Sequence, residues 1–532
     1  MNSIKVQKTV LLVAVILLST VVKSQKLSII PQPTEVTAGN GNFEITAKTS
    51  LKFDPANKDL RRIAGFLNDH LKKFYKMELQ SSDRNDDVIQ LKLSASERMD
   101  KEGYRLNIDK NGILITASDP NGIFYGIQTL KQLLSPDTTA RMVLSYLEIK
   151  DKPRFSWRGL HLDCCRHFFP VSFIRKYIDD MAMYKMNTFH WHLTEDQGWR
   201  LEIKKYPNLI DIGSWRDETY LGRKIDKYDG IGYGGFYTQD QVREIVRYAA
   251  ERFITIIPEI EMPGHSSAAL AGYPDLGCTG GPYEVQKKRG VFPDVFCAGK
   301  EESFNFLEGV IDEVCELFPS TYIHIGGDEC RKTSWEKCPL CQKRIKDEGL
   351  KDANELQSYF VRRMEKYLIS KGRRLIGWEE ILEGGLAPEA TVMPWKKNTV
   401  AGSVAARQKH DVIMCPATNC YFNYYQVKDI TNEPPGYPGF LPLEKVYSFE
   451  PVPADLSKED SHYIIGAQAC VWSEYISTTS NLEYTIFPRI CAMSEVIWSP
   501  AEKKDFSGFK ERLETEFQRL KLYKINYCDH PY

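Results

Sequence analysis

"YIHIGGDECRKTSW", residues 322–335, begins as a strand and ends in acid chemistry. Tyr322 to Ile325 are aromatic or aliphatic apart from one His, as in a buried strand. Gly326 and Gly327 let the backbone turn, and Asp328 and Glu329 follow side by side. Alternation along a strand would send neighbouring side chains to opposite faces, but the glycines and the strand end relax that rule. Two carboxylates held together repel, so one is expected to keep its proton near neutral pH and serve as a general acid.

The same texture recurs along the chain from about residue 153. Short apolar runs ending in polar and aromatic clusters are "RGLHLDCC", "TFHWHLTED", "ITIIPEIEMPGH", "YIHIGGDE", "RLIGWEE", "TVMPWK", "DVIMCPATNCYF" and "IIGAQACVWSE". Amphipathic helices lie between several of them, among them "SFIRKYIDDMAMYKM", "TQDQVREIVRYAAERF", "SFNFLEGVIDEVCELF" and "ANELQSYFVRRMEKYLIS". Eight strands with intervening helices over this length predict an α/β fold, a (β/α)8 TIM barrel. A doubly wound open sheet explains less well why every strand, not only those at a switch point, ends in chemistry.

In such a barrel the C-terminal strand ends converge on one mouth. Here they bring Asp163 and Arg166, Glu195 and Asp196, Glu259, Glu261 and His265, and Asp328 and Glu329. The later strands add Trp378 and Glu379, Trp395, Tyr421 and Asn423, and Trp472 and Glu474. Carboxylates, an Arg, a His and three Trp describe a polar-floored, aromatic-walled pocket. Such a pocket suits a sugar, whose C–H faces stack on rings while its hydroxyls need hydrogen bonds. The aromatic content of 12% agrees. His265, beyond a Pro-Gly turn, is open to three roles: metal ligand, base, or orienting residue held by a carboxylate. His190 and His192 share one strand face and are read as supporting residues. Of Arg158 and Arg166, the second is better placed to donate to vicinal hydroxyls or a carboxylate.

The 532 residues imply two domains, and a net charge of -1 gives no footprint for nucleic acid or an anionic membrane. Lys5 and Lys8 precede an apolar run, Val10–Val22, which reads as a secretory signal over 1–24. The expected location is secreted or periplasmic, with no membrane association after cleavage. Residues 25–152 read as a smaller α+β accessory domain without catalytic grouping. It carries a hairpin turning at Asn111-Gly112 and a helix capped by Asn121 or Asp119. The barrel is expected over 153–502 and a C-terminal helix packing on it over 503–532. Among thirteen cysteines, Cys278 and Cys297 are the preferred disulfide. Cys330, Cys338 and Cys341 have zinc-like spacing but no evident fourth ligand, so no metal and no cofactor is assigned.

The motifs "RGLHLDCCRHFF", "NTFHWHLTEDQGWR", "PEIEMPGH", "HIGGDEC", "GWEE", "MPW", "CYFNYYQ" and "GAQACVWSEYI" occur in the order seen in glycoside hydrolase family 20. Over nearly the whole mature length the chain resembles the β-N-acetylhexosaminidases of that family. The resemblance implies exo-acting release of terminal GlcNAc or GalNAc by substrate-assisted catalysis, with the sugar's own 2-acetamido group as nucleophile. It further implies Glu329 as acid and base, and Asp328 and Tyr421 as partners of the acetamido group. Trp378, Trp395 and Trp472 would be walls, and Arg166, Asn423 and Glu474 would hold the outer hydroxyls. His265 and Glu195 would support the acid, with Glu261 beside them. Glu195 stands where many relatives carry Asp, so its reach toward His265 is left to the fold. The competing readings are a relative specialised for a disaccharide or sulfated sugar, a non-catalytic glycan-binding protein, and a metal-dependent amidohydrolase.

Overall fold

The computed structural model describes residues 27–94, 99–221 and 227–532. The expected signal segment lies outside them. Among the described residues no helix is long and apolar enough to cross a membrane.

The first domain is a seven-stranded mixed sheet: β1 (Glu35–Ile45), β2 (Ser50–Lys52), β3 (Gln80–Ser81), β4 (Val88–Leu93), β5 (Tyr104–Asp109), β6 (Gly112–Ala117) and β7 (Met142–Asp151). Its order is β1-β7-β5-β6-β4-β2-β3. The β5–β6 hairpin pairs Asp109 with Gly112, so Lys110 and Asn111 form its tip and Gly112 already belongs to the strand. Glycine is required there for another reason: a Cβ would stand 2.0 Å from the Val88 carbonyl oxygen of β4. The buried helix α1 (Pro120–Leu133) starts at Asp119, whose Oδ1 accepts the Gly122 N–H at 2.9 Å, with Pro at its first position.

The eight barrel strands are β8 (Trp157–Asp163), β9 (Thr188–His192), β10 (Thr255–Glu259), β11 (Tyr322–His324), β12 (Arg374–Trp378), β13 (Thr391–Met393), β14 (Val412–Met414) and β15 (Ile464–Ala469). They are parallel and closed, β15 pairing back onto β8. All eight apolar runs expected to be strands are barrel strands, but each is shorter than its run. "DVIMCPATNCYF" stops at Met414 because Pro416 leads into a short helix, Ala417–Cys420, and Tyr421 makes only a single bridge to Cys470. Helix α2 (Gln239–Ala250) carries a full capping box at Thr238 and Gln241. The last helix, α3 (Phe506–Tyr523), packs on the barrel through a Tyr184–Glu516 hydrogen bond and also reaches Ser28 of the first domain through Arg519.

Buried charges join the two domains. Arg158, at the start of β8, makes a two-pronged ion pair with Glu102 at 2.9 and 3.0 Å and also donates to Tyr125. It sits at the foot of the barrel, away from the mouth, which accounts for its absence from the pocket. Lys185 pairs with Asp151 at 2.9 Å, and Asp151 also accepts from Tyr104 and the Trp498 indole. Glu102→Gln should cost about 3 kcal/mol of stability, because removing one partner strands a buried charge. The retained acceptors of Arg158 (Tyr125 and the Phe155 and Lys185 carbonyls) keep the loss toward the low end. Denaturant unfolding measures it; a loss below about 1 kcal/mol would mean the pair does not hold the domains. Replacing both residues with apolar ones should restore most of the stability.

Thirteen free thiols replace the expected disulfide. Cys278 and Cys297 do meet, but in a four-thiol group with Cys338 and Cys341. Cys330 is not one of that four; its charged neighbours include Lys332, His265 and Asp328.

Candidate active site

The barrel interior below the mouth is polar. Strand register places His192 beside both Asp163 and Glu259, and Glu259 beside His324. Glu259 collects contacts from His192 Nδ1 at 2.5 Å, His190 Nε2 at 3.0 Å, His324 Nδ1 at 3.0 Å and the Trp378 indole N–H at 2.7 Å. His190 and His192 thus serve one buried carboxylate, the supporting role expected of them. Burial pushes the His190 pKa down to about 4. At His192 burial acts the same way but Glu259 and Glu195 overcome it, lifting the value to about 10. Trp378 is therefore both wall and anchor: its ring faces the pocket and its N–H fixes the floor.

Above this floor lies a cavity open to solvent. Its lining includes all eleven residues selected from sequence. The acidic turn forms one side. Gly326 and Gly327 have φ of 68° and 89°, and a Cβ on Gly326 would stand 1.6 Å from Glu261 Oε2. Only glycine permits that turn. Glu329 itself has φ of 47°, a left-handed conformation uncommon for a residue with a side chain and concentrated at functional sites. The Glu329 side chain is 37% exposed at the opening, while that of Asp328 is 13% exposed and lies deeper.

His265, also left-handed at φ 47°, links the acids. Its Nε2 lies 3.6 Å from both Asp328 Oδ2 and Glu329 Oε2, and its Nδ1 lies 2.8 Å from Glu195 Oε1 and 3.0 Å from Asp196 Oδ2. Glu195 therefore reaches His265, and two carboxylates hold its imidazole in one orientation. Burial opposes its charge, but Glu195, Asp328 and Asp196 outweigh burial and hold its pKa well above the ordinary value. Asp196 was missed as a site residue. Two adjacent acids gave no sign of which would turn toward His265, and both do; Asp196 is further fixed by the Ser267 hydroxyl at 2.6 Å.

Across the cavity Arg166 is held by Glu195 at 2.9 Å, Asp163 at 3.3 Å and Gln197 at 2.9 Å, with its guanidinium 5.2 Å from the Trp472 ring centre. Glu474 is nearby; burial raises its pKa and Arg166 works the other way. Trp395 and Tyr421 lie nearly parallel, 6.1 Å apart, and Trp472 stands 5.8 Å from Trp378 and 6.3 Å from Tyr421. The Trp395 indole donates to Glu380 at 3.0 Å, while Glu379 accepts backbone N–H groups of Trp395 and Lys396. Glu379 thus positions the wall. Burial and then Asp328 push the Glu380 pKa to about 7, and the same two causes hold Glu261 well above the usual carboxylate range. Asn423 lines the cavity together with Tyr424 and Tyr437, two aromatic residues not selected from sequence. Tyr437 comes from a Pro-Gly-rich segment whose bridging to Tyr424 is a tertiary event. Asp328 Oδ1, Asn423 Oδ1 and Glu474 Oε2 are buried polar atoms without a partner among the described residues, each available to a hydroxylated or amide-bearing ligand.

Comparison with known proteins agrees with this architecture. The model of the glycosyl hydrolase family 20 catalytic domain matches residues 155–501, and that of domain 2 of the same family matches residues 26–152. A beta-hexosaminidase of Porphyromonas gingivalis is 47% identical over 511 residues, covering 94% of this chain and 64% of its own length. One from Vibrio furnissii is 36% identical over 473 residues, covering 88% of this chain and 76% of its own length. Among solved structures, a GH20 exo beta-N-acetylglucosaminidase from Vibrio harveyi, in complex with N-acetylglucosamine, gives a TM-score of 0.84 at 33% identity over 96% of this chain and 79% of that one. A beta-N-acetylhexosaminidase from Bacteroides fragilis gives 0.79 at 32% identity over 94% and 96%.

Proposed function

The chain belongs to glycosyl hydrolase family 20, and from that premise we propose that it is an exo-acting β-N-acetylhexosaminidase that cleaves terminal GlcNAc or GalNAc with retention of configuration. The observation that carries the proposal is the division of labour on the Gly-Gly turn. Glu329 stands at the opening, where a leaving group departs, and Asp328 lies deeper with an unpartnered oxygen, where a 2-substituent of a bound sugar would sit.

In the first step the acetamido carbonyl oxygen of the substrate attacks the anomeric carbon. The Glu329 carboxyl gives its proton to the glycosidic oxygen as the C–O bond breaks. The acetamido group closes into an oxazolinium-like ring, whose N–H is accepted by Asp328 and whose positive charge that carboxylate offsets. Tyr421 donates its O–H to the acetamido oxygen and so fixes its line of attack. In the second step the Glu329 carboxylate takes a proton from water, which attacks the anomeric carbon and reopens the ring. His265 positions both acids, while Arg166, Asn423 and Glu474 hold the outer hydroxyls and close the pocket beyond them. Substrate-assisted chemistry of this kind departs from the usual two-carboxylate scheme.

A panel of aryl glycosides tests the reading. Aryl 2-acetamido-glycosides should be hydrolysed, and the matched 2-hydroxy-glycosides should be nearly inert; comparable rates on both would refute the substrate-assisted reading. Trp472→Ala, which opens the wall between Arg166 and Tyr421, should cost about 1–3 kcal/mol in kcat/KM. Unchanged kinetics in the folded variant would place that ring outside the substrate's contacts. We also propose export, on the Lys5–Lys8 and Val10–Val22 pattern, which cell fractionation and N-terminal sequencing of the mature protein check.

A further inference from the structure

Cys278, Cys297, Cys338 and Cys341 come from two separate loops, and their sulfurs all lie within 4.8 Å of one another. Three of the separations are 3.9 Å (Cys278–Cys341), 3.8 Å (Cys297–Cys338) and 3.5 Å (Cys297–Cys341). Sulfurs bound to one zinc ion at ~2.3 Å stand about 3.8 Å apart at the corners of a tetrahedron. Two disulfides would instead divide four sulfurs into two tight pairs. Here Cys297 and Cys341 each have two near-equidistant partners, the arrangement of four corners about one centre.

The surroundings fit the same centre. Cys338 and Cys341 form a Cys-x-x-Cys turn at the start of the helix Pro339–Asp347, so the free N–H groups of its first turn lie beside the thiolates. Gly299 must be glycine, since a Cβ would meet the Leu340 carbonyl carbon at 2.3 Å and the Cys341 nitrogen at 2.4 Å. The two loops are thus pressed together at the thiols. Four thiolates around a divalent ion carry two net negative charges; Lys300 donates to the Gly277 carbonyl at 2.8 Å, next to Cys278, and puts a cation close by.

We propose that these four cysteines bind one divalent transition-metal ion, zinc by the softness and tetrahedral placing of the ligands, as a structural clamp between the loops after β10 and β11. Binding releases the four thiol protons and changes no oxidation state. With all four positions filled by protein there is no site for water or substrate, so the ion takes no part in the chemistry. Its place in the fold gives it a purpose. The β10 loop carries His265 and the β11 loop carries Asp328 and Glu329, so the clamp ties the imidazole's support to the acid's.

The test uses the full chain purified without chelator. Elemental analysis and native mass spectrometry should find about one zinc ion per chain. After denaturation all thirteen thiols should react with an alkylating agent. Cys297→Ser and Cys341→Ser should each lower bound zinc at least about tenfold. A strong chelator should lower the Tm of the wild-type chain, and added zinc should restore it. Two results would overturn the proposal. One is a chain that contains no metal and takes up none from added zinc. The other is a mass deficit of about 2 Da per bond with peptides linking these cysteines, which makes them disulfides. Both are read on the wild-type protein, so the outcome does not depend on whether the variants fold.

Discussion

Glu329→Gln is expected to lower turnover of unactivated 2-acetamido glycosides by about two to four orders of magnitude, the usual cost of losing general acid catalysis. Glutamine fills the same volume and can still hydrogen-bond, so substrate affinity should change little. The left-handed backbone at this position and the turn below it are set by Gly326, Gly327 and Glu261 and do not depend on the side-chain charge. The informative comparison is between leaving groups. An aryl glycoside whose phenolate leaves readily needs little protonation, so its first step should be far less impaired than that of a poor leaving group. Equal losses on both would remove Glu329 from the role of acid.

Asp328→Asn should reduce kcat strongly while KM moves less, because the lost interaction strengthens as the ring closes and positive charge appears. The side chain lies deep, with Oδ1 free of partners among the described residues and Oδ2 3.6 Å from His265 Nε2. The substitution therefore removes a charge without opening a cavity. A stable thiazoline mimic of the cyclised intermediate should bind wild type far more tightly than substrate does, and should lose most of that advantage against Asp328→Asn. The competing mechanism places the sugar covalently on an enzyme carboxylate. Glu474, in the cavity wall, would be the candidate; Glu379 is already engaged by the Trp395 and Lys396 backbone. A covalent adduct trapped on either from a 2-fluoro glycoside would exclude the acetamido nucleophile.

Much of this was legible in the order of residues. Barrel strands are buried on both faces, so they read as short apolar runs, and a run that ends in Asp, Glu, His or Trp marks the mouth. That reasoning located all eight strands and brought eleven residues to one cavity. Strand length was less legible: in "DVIMCPATNCYF" the apolar pattern continues past Pro416, where the hydrogen-bonding pattern stops. The cysteines illustrate a different limit. Cys338 and Cys341 announce themselves by spacing, but their partners lie about forty to sixty residues earlier in another loop, and only the stacking of β10 beside β11 brings them there.

Sequence alone determined the architecture, the acidic turn and the aromatic wall, because each rests on local pattern: apolar period, paired glycines, and side-chain type at a strand end. Only the tertiary structure decided that Glu195 and Asp196 both hold His265, that Arg158 faces the first domain and not the pocket, and that burial and Asp328 together raise the pKa values of Glu261 and Glu380. These outcomes depend on burial and on charges far apart in the chain. Desolvation and Coulomb energy are set by distance in space, and spacing along the sequence does not encode that distance.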